Sequence, residues 1–338
     1  MKRLLSILLG AIALAGCHSI DNWDNDAPGN FDALWEVFDS HYCFFQEKGI
    51  DWDSVYSVYR PMVTPQTNVT ELYVICTAML DELHDGHVNL TTPFATSYYK
   101  NWWSDYPQNY DSRLVEEHYL HFGGLTRGGI TYAMLPDSIG YMRYGSFSYG
   151  VGETTLDWAF ALLSPCKSLI IDIRDNGGGS LADVETFCRR FIKSRTLAGY
   201  ITHKSGSGHG DFSDPYPYYY DPIDPMRIGW DKPVVILTNR SCFSAANNFV
   251  SFMSALPQVT LVGDRTGGGS GMPFSSEIPC GWAVRFSGSP IYDSEMHLTE
   301  NGIEPDIHVD LDPEAALDGI DTMLEKAIEV AKENVANS

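Results

Sequence analysis

The sequence predicts an α/β protein in which a small helical unit precedes a sheet covered by helices. From about residue 130 onward, short apolar stretches alternate with amphipathic ones. The strand-like stretches are 139–147, 168–173, 234–237 and 259–262, and the helical ones are 181–191 and 245–256. Short apolar strands separated by helices of this length are typical of βαβ units and of a sheet buried between helices.

The N-terminal part has a different pattern. Apolar residues at Phe31, Leu34, Trp35 and Phe38 fall on one helical face, and Asn30 fits an N-cap. A second helix over 51–60 is stopped by a proline, and a third stripe runs through 72–83. We therefore expect a three-helix subdomain over 30–84 and a core domain over 85–338.

Two further segments complete the organisation. An amphipathic pattern from Pro313 onward predicts one closing helix. Residues 205–230 are rich in tyrosine and proline and resist assignment. A long loop of this kind is interpreted either as a rim of a binding cleft or as a disordered surface excursion. No internal repeat is present at a solenoid period.

Composition narrows the classes of partner. The 338 residues carry a formal net charge of −22, a pI near 4.6, 44% hydrophobic and 20% charged residues. These fractions indicate a globular chain. A strongly negative surface repels phosphate backbones, and there is no basic cluster, so nucleic acid is excluded as a partner.

The N-terminus predicts export. Lys2 and Arg3 precede a short apolar stretch that ends in Leu-Ala-Gly-Cys17, which is the pattern of a signal peptide and too short to span a bilayer. The last four residues resemble a bacterial lipobox. We expect a signal peptide over 1–16, lipidation of Cys17, a polar tether over 17–29, and a location in the cell envelope on the periplasmic face or the cell surface. The alternative is an ordinary secreted protein.

Six cysteines remain after Cys17. An exported protein permits disulfides, but no CxxC occurs and the spacing is irregular. Buried thiols and disulfides both stay open, and no pairing is assigned.

The first candidate for chemistry is Ser244, within Asn239-Arg-Ser-Cys-Phe-Ser-Ala-Ala. It lies between a predicted strand and a predicted helix, where backbone N–H groups point outward and the helix dipole is positive. Such N–H groups stabilise an oxyanion. A plain N-cap serine is the competing interpretation.

Three further segments carry polar or glycine-rich patterns. Asp172-Ile-Arg-Asp-Asn-Gly-Gly-Gly follows a strand, and without a nucleotide-binding spacing it favours an oxyanion-binding turn or a structural turn. His87, in Leu-His-Asp-Gly-His-Val, could be a general base. No cluster with zinc spacing is present, so neither metal nor cofactor is expected. Glu300 and Glu304 could orient a histidine, or could form a solvated acidic turn.

Together, these segments resemble the tail-specific, or C-terminal processing, peptidase family, which includes the tricorn protease core and the interphotoreceptor retinoid-binding protein. Four segments match in the family's order between residues 83 and 309: LHDGHVNL, LIIDIRDNGGGS, VVILTNRSCFSAANNF with LVGDRTGGGSG, and NGIEPDIHV. The resemblance implies a crotonase- or ClpP-like ββα core. Only some forty residues follow the DGH turn before the next core strand, about half of what a PDZ domain needs, so we expect no PDZ domain.

The resemblance also implies roles for single residues. Ser244 falls on the nucleophile, and the N–H groups of Gly178 and Ala245 fall on the oxyanion donors. The Ser–Lys branch of the family carries its lysine where this sequence has Gly269. The chain therefore looks more like the tricorn branch, with His87 as base and Glu300 as acid. Glu304 competes with Glu300, because the alignment there is loose.

The resulting hypothesis is a serine peptidase of the cell envelope that hydrolyses peptides or unfolded protein tails through a Ser–His–Glu acyl-enzyme mechanism. One alternative is an inactive peptide- or apolar-ligand-binding lipoprotein on the same fold. Another is a surface lipoprotein that captures sugars or peptides with the tyrosine-rich segment 205–230.

Overall fold

A computed structural model describes residues 23–337. The predicted signal peptide, the predicted lipidation site Cys17 and residues 18–22 of the predicted tether lie outside these described residues. The chain divides into two compact units. The first contains the described residues up to Tyr99, Lys204–Phe212 and Pro273–Gly288, and the second contains Lys100–His203, Ser213–Met272 and the residues from Ser289 onward.

The first unit is built on the N-terminal helices. They are α1 (Ala27–His41), α2 (Phe45–Lys48), α3 (Trp52–Tyr59) and α4 (Val69–Asp81). Within this unit, β1 (Asn89–Thr91) pairs antiparallel with residues Ala283–Arg285 of a later strand, β11 (Ala283–Tyr292). Phe31, Leu34 and Phe38 of α1 are fully buried, as their helical spacing predicts, and the Phe38 ring lies 5.5 Å from that of Phe286.

Helix α1 begins earlier than the sequence indicates. Asp26 is its N-cap and accepts the Gly29 N–H at 2.8 Å, with Pro28 in the first turn. The prediction of Asn30 as N-cap is therefore wrong, and the last residues assigned to the tether are helical. Asn30 is 3% exposed, and its side chain accepts the Cys280 N–H at 2.7 Å. It serves the packing of the unit.

The second unit contains a seven-stranded sheet. Its strands are β2 (Leu125–Arg127), β3 (Ile130–Leu135), β4 (Ile139–Tyr144), β5 (Ser168–Asp172), β8 (Val234–Thr238), β9 (Val259–Gly263) and β12 (Ile307–His308), in the order β12-β9-β8-β5-β4-β3-β2. From β4 to β12 every pairing is parallel. Strands β5 and β8 are buried throughout, as expected of central parallel strands.

Helices cover both faces of this sheet. The helices of the second unit are α5 (Asn101–Ser104), α6 (Ser112–Val115), α7 (Glu153–Leu163), α8 (Leu181–Cys188), α9 (Ala245–Ser254), α10 (Pro313–Leu317) and α11 (Thr322–Ala336). Leu169 and Ile171 of β5 pack with α7, α8 and α9. Ile170, on the opposite face, packs in a second cluster with α11. The predicted mixed α/β architecture is confirmed.

The remaining strands belong to a second sheet. In the second unit, β6 (Thr196–Ile201) pairs antiparallel with β7 (Tyr216–Tyr220) and with the last residues of β11 (Ala283–Tyr292). Strand β10 (Gly271–Glu277) also pairs with β11. Strand β7 falls inside the segment 205–230 that the sequence left unassigned. Pro217 is tolerated because β7 is an edge strand of this sheet, as far as residues 23–337 show.

A buried ion cluster joins the end of β5 to α11. The Arg174 guanidinium is fully buried and lies 2.7 Å from Asp172 and 2.9 Å from Asp321. Asp321 is also the N-cap of α11. The predicted single closing helix is wrong in one respect, because Gly319, with φ +84°, separates α10 from α11. The cluster fixes the strand end that leads into the glycine run.

The segment between β1 and β2 is where a PDZ domain would be inserted. Between Thr91 and Leu125 the chain forms only α5, α6 and a five-residue π-helix, so this part of the described chain contains no PDZ domain, as expected.

The six cysteines of the described residues are free thiols. No helix within residues 23–337 is long and apolar enough to cross a membrane.

Candidate active site

Ser244 lies at the junction of β8 and α9 in a conformation that is rare for a residue with a side chain. Its φ is 57° and its ψ is −119°. An N-cap residue adopts an extended conformation and accepts a helix N–H through its side chain. Ser244 does neither. Its φ is positive, and its side chain makes no capping hydrogen bond to α9. The N-cap interpretation is therefore excluded.

Neighbouring backbone holds Ser244 in this conformation. Its N–H donates to Gly268 O at 2.8 Å, the Phe243 N–H donates to Asn176 O at 3.1 Å, and the Gly267 N–H donates to Cys242 O at 2.8 Å. Strained residues persist where the surroundings fix them, and they cluster at functional sites. A serine on a sharp strand-to-helix turn is also how other hydrolases expose their nucleophile.

Gly178 lets the glycine-rich turn approach Ser244 closely. A Cβ placed on Gly178 would lie 2.8 Å from Ala245 N, 2.9 Å from Ser244 Cβ and 2.5 Å from Phe243 O. Ala245 is the first residue of α9, where N–H groups have no partner in their own helix. Only a glycine therefore permits this close packing of the turn against the start of α9.

The Gly178 N–H, which the resemblance assigned to an oxyanion, is bonded to a side chain in this structure. It donates to Asn176 Oδ1 at 2.9 Å. The same amide is held at its other end, since Asn176 Nδ2 donates to Tyr144 O at 2.8 Å. The roles of the Gly178 and Ala245 N–H groups as oxyanion donors stay predictions.

Glu300 is bound by the glycine-rich turn that also binds Ser244. Its side chain is 6% exposed, and Oε2 accepts the Ser270 N–H at 2.8 Å. Its carbonyl oxygen accepts the Gly269 N–H at 3.1 Å. Gly268 O accepts the Ser244 N–H in turn. Three consecutive residues, 268–270, thus bind both Ser244 and Glu300.

Glu304, the competing acid, has a different environment. It is exposed and lies 3.5 Å from the Arg265 guanidinium, with 73% of its side chain accessible. An exposed ion pair of this kind contributes little. Burial and hydrogen bonding distinguish Glu300 from Glu304, and they favour Glu300 as the carboxylate of the site.

Gly269 occupies the position at which the Ser–Lys branch has its lysine. Its φ is +80°, and a Cβ there would lie 2.5 Å from Phe243 Cζ. The Phe243 ring is itself stacked on Trp102, with centroids 4.1 Å apart. Backbone conformation and packing therefore both close this position to a lysine.

His87 belongs to the first unit and is 3% exposed. It follows a turn in which His84 has a φ of 46°. Burial is the main cause that lowers the pKa of His87 to about 4. The Asp85 carboxylate opposes this shift, and the charges of Arg285 and Lys48 add to it. The imidazole is therefore neutral at pH 7, which is the form that can accept a proton.

Asp85 organises this turn, and sequence reasoning missed it. Its Oδ1 accepts the His87 N–H at 2.7 Å, and its Oδ2 accepts the Tyr42 hydroxyl at 3.0 Å. Burial alone would raise the pKa of Asp85, but the charges of Lys48 and His87 and the hydrogen bond from the His87 N–H lower it below its usual value. The signal was present in the sequence, because an Asp commonly binds the N–H two residues onward.

Asparagines in the second unit were also missed. Asn239 Oδ1 accepts the Asp175 N–H at 3.0 Å, and Asn239 Nδ2 donates to Asp175 Oδ1 at 2.7 Å. This pair ties the loop after β8 to the loop after β5. Asn side chains after two neighbouring strands were visible in the sequence, but nothing in it showed that they bridge the loops.

The sequence and the fold of this chain are similar to those of known peptidases. Residues 138–309, just over half of the chain, match Peptidase family S41, and residues 24–81 match the tricorn protease C1 domain. A solved candidate peptidase from Parabacteroides merdae ATCC 43184 is 47% identical, with 91% of this chain and 97% of that chain covered and a TM-score of 0.87.

More distant proteins share the fold or part of the sequence. Mature CPAF complexed with lactacystin is 13% identical over 93% of this chain and 99% of that chain, with a TM-score of 0.68. The tricorn-like protease C-terminal subunit assigned in Sulfurisphaera tokodaii is 26% identical over 168 residues, which are 49% of this chain and 18% of that protein. The chain thus matches less than a fifth of the length of this curated relative.

These findings settle the class. The chain belongs to Peptidase family S41, a family of serine peptidases, and the resemblance read from its sequence is confirmed. Ser244, Gly178 and Glu300 fall inside the matched range 138–309, whereas His87 lies between the two matched ranges.

Proposed function

We propose that this protein is a serine peptidase that cleaves peptides or unfolded protein tails through an acyl-enzyme, with Ser244 as nucleophile, His87 as general base and Glu300 as the acid that orients the base. One observation carries the proposal: Ser244 opens α9 with a φ of 57° without capping the helix. A serine in such a conformation has a use other than stabilising the helix.

The chemistry follows from the groups present. His87 takes the proton of Ser244 Oγ as the oxygen attacks the peptide carbonyl carbon. The carbonyl oxygen becomes an oxyanion that is stabilised by the N–H of Ala245, the first residue of α9. The imidazolium then gives its proton to the leaving amine. Water, activated by the same imidazole, hydrolyses the ester and restores Ser244.

The absence of a lysine at position 269 does not favour an inactive binding protein. The same turn binds a buried carboxylate, because the Ser270 N–H donates to Glu300 Oε2 and the Gly269 N–H donates to the Glu300 carbonyl oxygen. A carboxylate in that environment is the acid member that a histidine-dependent site requires. The conformation of Ser244 and the burial of Glu300 both support a catalytic site.

The activity test is labelling with a fluorophosphonate, followed by mapping of the labelled peptide. The wild type is expected to be labelled on Ser244, and Ser244→Ala to be unlabelled. His87→Ala is expected to label about 10²-fold or more slowly, because the general base is removed. Lack of label on a folded wild type would reject the hydrolase, and equal rates in His87→Ala would reject the choice of base.

Attachment to the cell envelope is a separate part of the proposal. Leu-Ala-Gly-Cys17 supports a lipid on Cys17 after removal of residues 1–16. Cells that express the full chain would be fed an alkyne-bearing fatty acid. The wild type is expected to carry the label in the membrane fraction and Cys17→Ser to lose it. A wild type without label would reject the lipid anchor and leave the peptidase proposal intact.

A further inference from the structure

Asn247 lies one turn into α9, three residues after Ser244, and is 1% exposed. Its Nδ2 donates to Thr299 O at 3.1 Å and to Thr299 Oγ1 at 3.2 Å. Its Oδ1 accepts the Thr266 hydroxyl at 2.6 Å. All the hydrogen-bonding capacity of the amide is therefore directed at the segments that surround Glu300.

These two threonines belong to the turns that fix the carboxylate. Thr299 directly precedes Glu300, and its carbonyl oxygen also accepts the Gly302 N–H at 3.1 Å. Thr266 Oγ1 accepts the Ile303 N–H at 2.7 Å, and Thr266 N–H donates to Ile303 O at 3.1 Å. Asn247 thus connects the nucleophile helix to both ends of the short segment that carries Glu300.

We propose that Asn247 is a positioning residue for Glu300, whose amide sets the place of the carboxylate relative to the helix that begins at Ser244. The inference rests on the proposed function for its catalytic meaning. Asn247 touches no reacting atom in this scheme and acts through Thr299 and Thr266.

An amide suits this position for a physical reason. The site presents two acceptors, Thr299 O and Oγ1, and one donor, the Thr266 hydroxyl. Only a side chain with donors on one atom and an acceptor on the other satisfies all three. An aspartate would face two oxygens with a buried charge, and a leucine would leave buried polar groups unpaired, both of which are unfavourable.

The first measurement is a double-mutant cycle on peptide hydrolysis. Asn247→Leu is expected to lower kcat by about 10- to 100-fold with KM changed less than about twofold, because a misplaced catalytic group loses rate rather than ground-state binding. In a Glu300→Gln background the same substitution is expected to lower kcat by less than about threefold, since residues that act as a unit are not additive. Equal losses in both backgrounds would overturn the inference.

The matched control is Asn109→Leu. Asn109 is also a 1% exposed asparagine of the second unit, but its side chain bonds Asp310 and the Leu311 N–H instead. A merely structural effect would lower activity equally in both leucine variants at equal thermal stability. Asn247→Asp, which keeps the size and the acceptor, answers the same question if Asn247→Leu does not fold.

A second measurement does not depend on activity. The Ser270 N–H is bonded to Glu300 Oε2, so its hydrogen exchange reports the position of the carboxylate. In the Ser244→Ala protein, Asn247→Leu or Asn247→Asp is expected to accelerate exchange of this amide at least about tenfold, and Asn109→Leu is not. An unchanged Ser270 amide would reject the inference, even if the wild type proved active. Accelerated exchange in an inactive wild type would instead reject the proposed function and keep the positioning role.

Discussion

Replacing Gly178 with alanine tests the close packing of the glycine-rich turn against Ser244 and Ala245. The added methyl carbon would lie 2.8 Å from Ala245 N and 2.9 Å from Ser244 Cβ. Both distances are shorter than a van der Waals contact, so the methyl group would displace Ser244 and the Ala245 N–H. The third neighbour, Phe243 O at 2.5 Å, is backbone and cannot rotate away.

The expected loss has two components. Losing one oxyanion donor costs about 10²–10³-fold in kcat, because the transition-state charge then lacks a fixed N–H. Residue 178 also has φ +94°, and a non-glycine residue in such a conformation is destabilised by about 1–3 kcal/mol. The first component should appear in kcat and the second in the free energy of unfolding.

Gly150→Ala separates these components. Gly150 has φ +75° and nothing within 4 Å of its Cβ position, so alanine there introduces backbone strain without blocking a site. Both variants would be compared by urea unfolding and by initial rates of peptide cleavage. Gly178→Ala should lose about 10²-fold more kcat than Gly150→Ala when both are assayed in their folded state, and its free energy of unfolding should fall further because its methyl carbon overlaps backbone atoms. Rates of the two variants within about threefold of each other would refute this account of Gly178.

Three further outcomes are expected. Because the pKa of His87 is about 4, kcat/KM should be constant above about pH 5 on the acidic limb and fall as the pH drops through 4, where the imidazole becomes protonated; a midpoint near 6.5, with circular dichroism confirming the fold, would contradict this. Glu300→Gln should lower kcat by about 10²–10⁴-fold, whereas Glu304→Gln should stay within about twofold because its ion pair is exposed; equal losses in steady-state assays would show that the wrong acid was chosen. Gly269→Lys should abolish cleavage and lower the free energy of unfolding by about 2–5 kcal/mol through strain and overpacking; an active variant of wild-type stability in urea titration would disprove the packing argument.

Much of the fold could be predicted because buried apolar residues recur in the sequence in patterns that are typical of helices or of strands. The helical stripe of α1 and the apolar runs of β5 and β8 matched the structure, since each element faces an apolar core. The segment 216–220 could not be identified as a strand, because Pro217 is normally a sign against one and its tolerance depends on the sheet. The start of α1 was missed because two residues, Asp26 and Asn30, could both cap a helix.

Some residues of the candidate site could be identified from the sequence and others could not, for a related reason. Ser244 could be placed from its strand-to-helix junction, which is a local pattern. The bond between the Gly178 N–H and Asn176 Oδ1 depends on a side-chain rotamer that no pattern encodes. The role of Asn247 depends on contacts with residues 19 and 52 positions away, and single-sequence patterns do not report such pairs.

The Gly268–Ser270 turn gives a physical reason for proposing a base from elsewhere in the chain. Its residue 269 is closed to a lysine, because the backbone is left-handed there and the Phe243 ring fills the adjacent space. The same turn directs two N–H groups at Glu300 and one carbonyl oxygen at Ser244. A carboxylate does not deprotonate a serine efficiently, but it orients and stabilises a histidine that does. Exclusion of a lysine at residue 269 and the binding of Glu300 are therefore consequences of one backbone arrangement, and both support the proposal of His87 as the base.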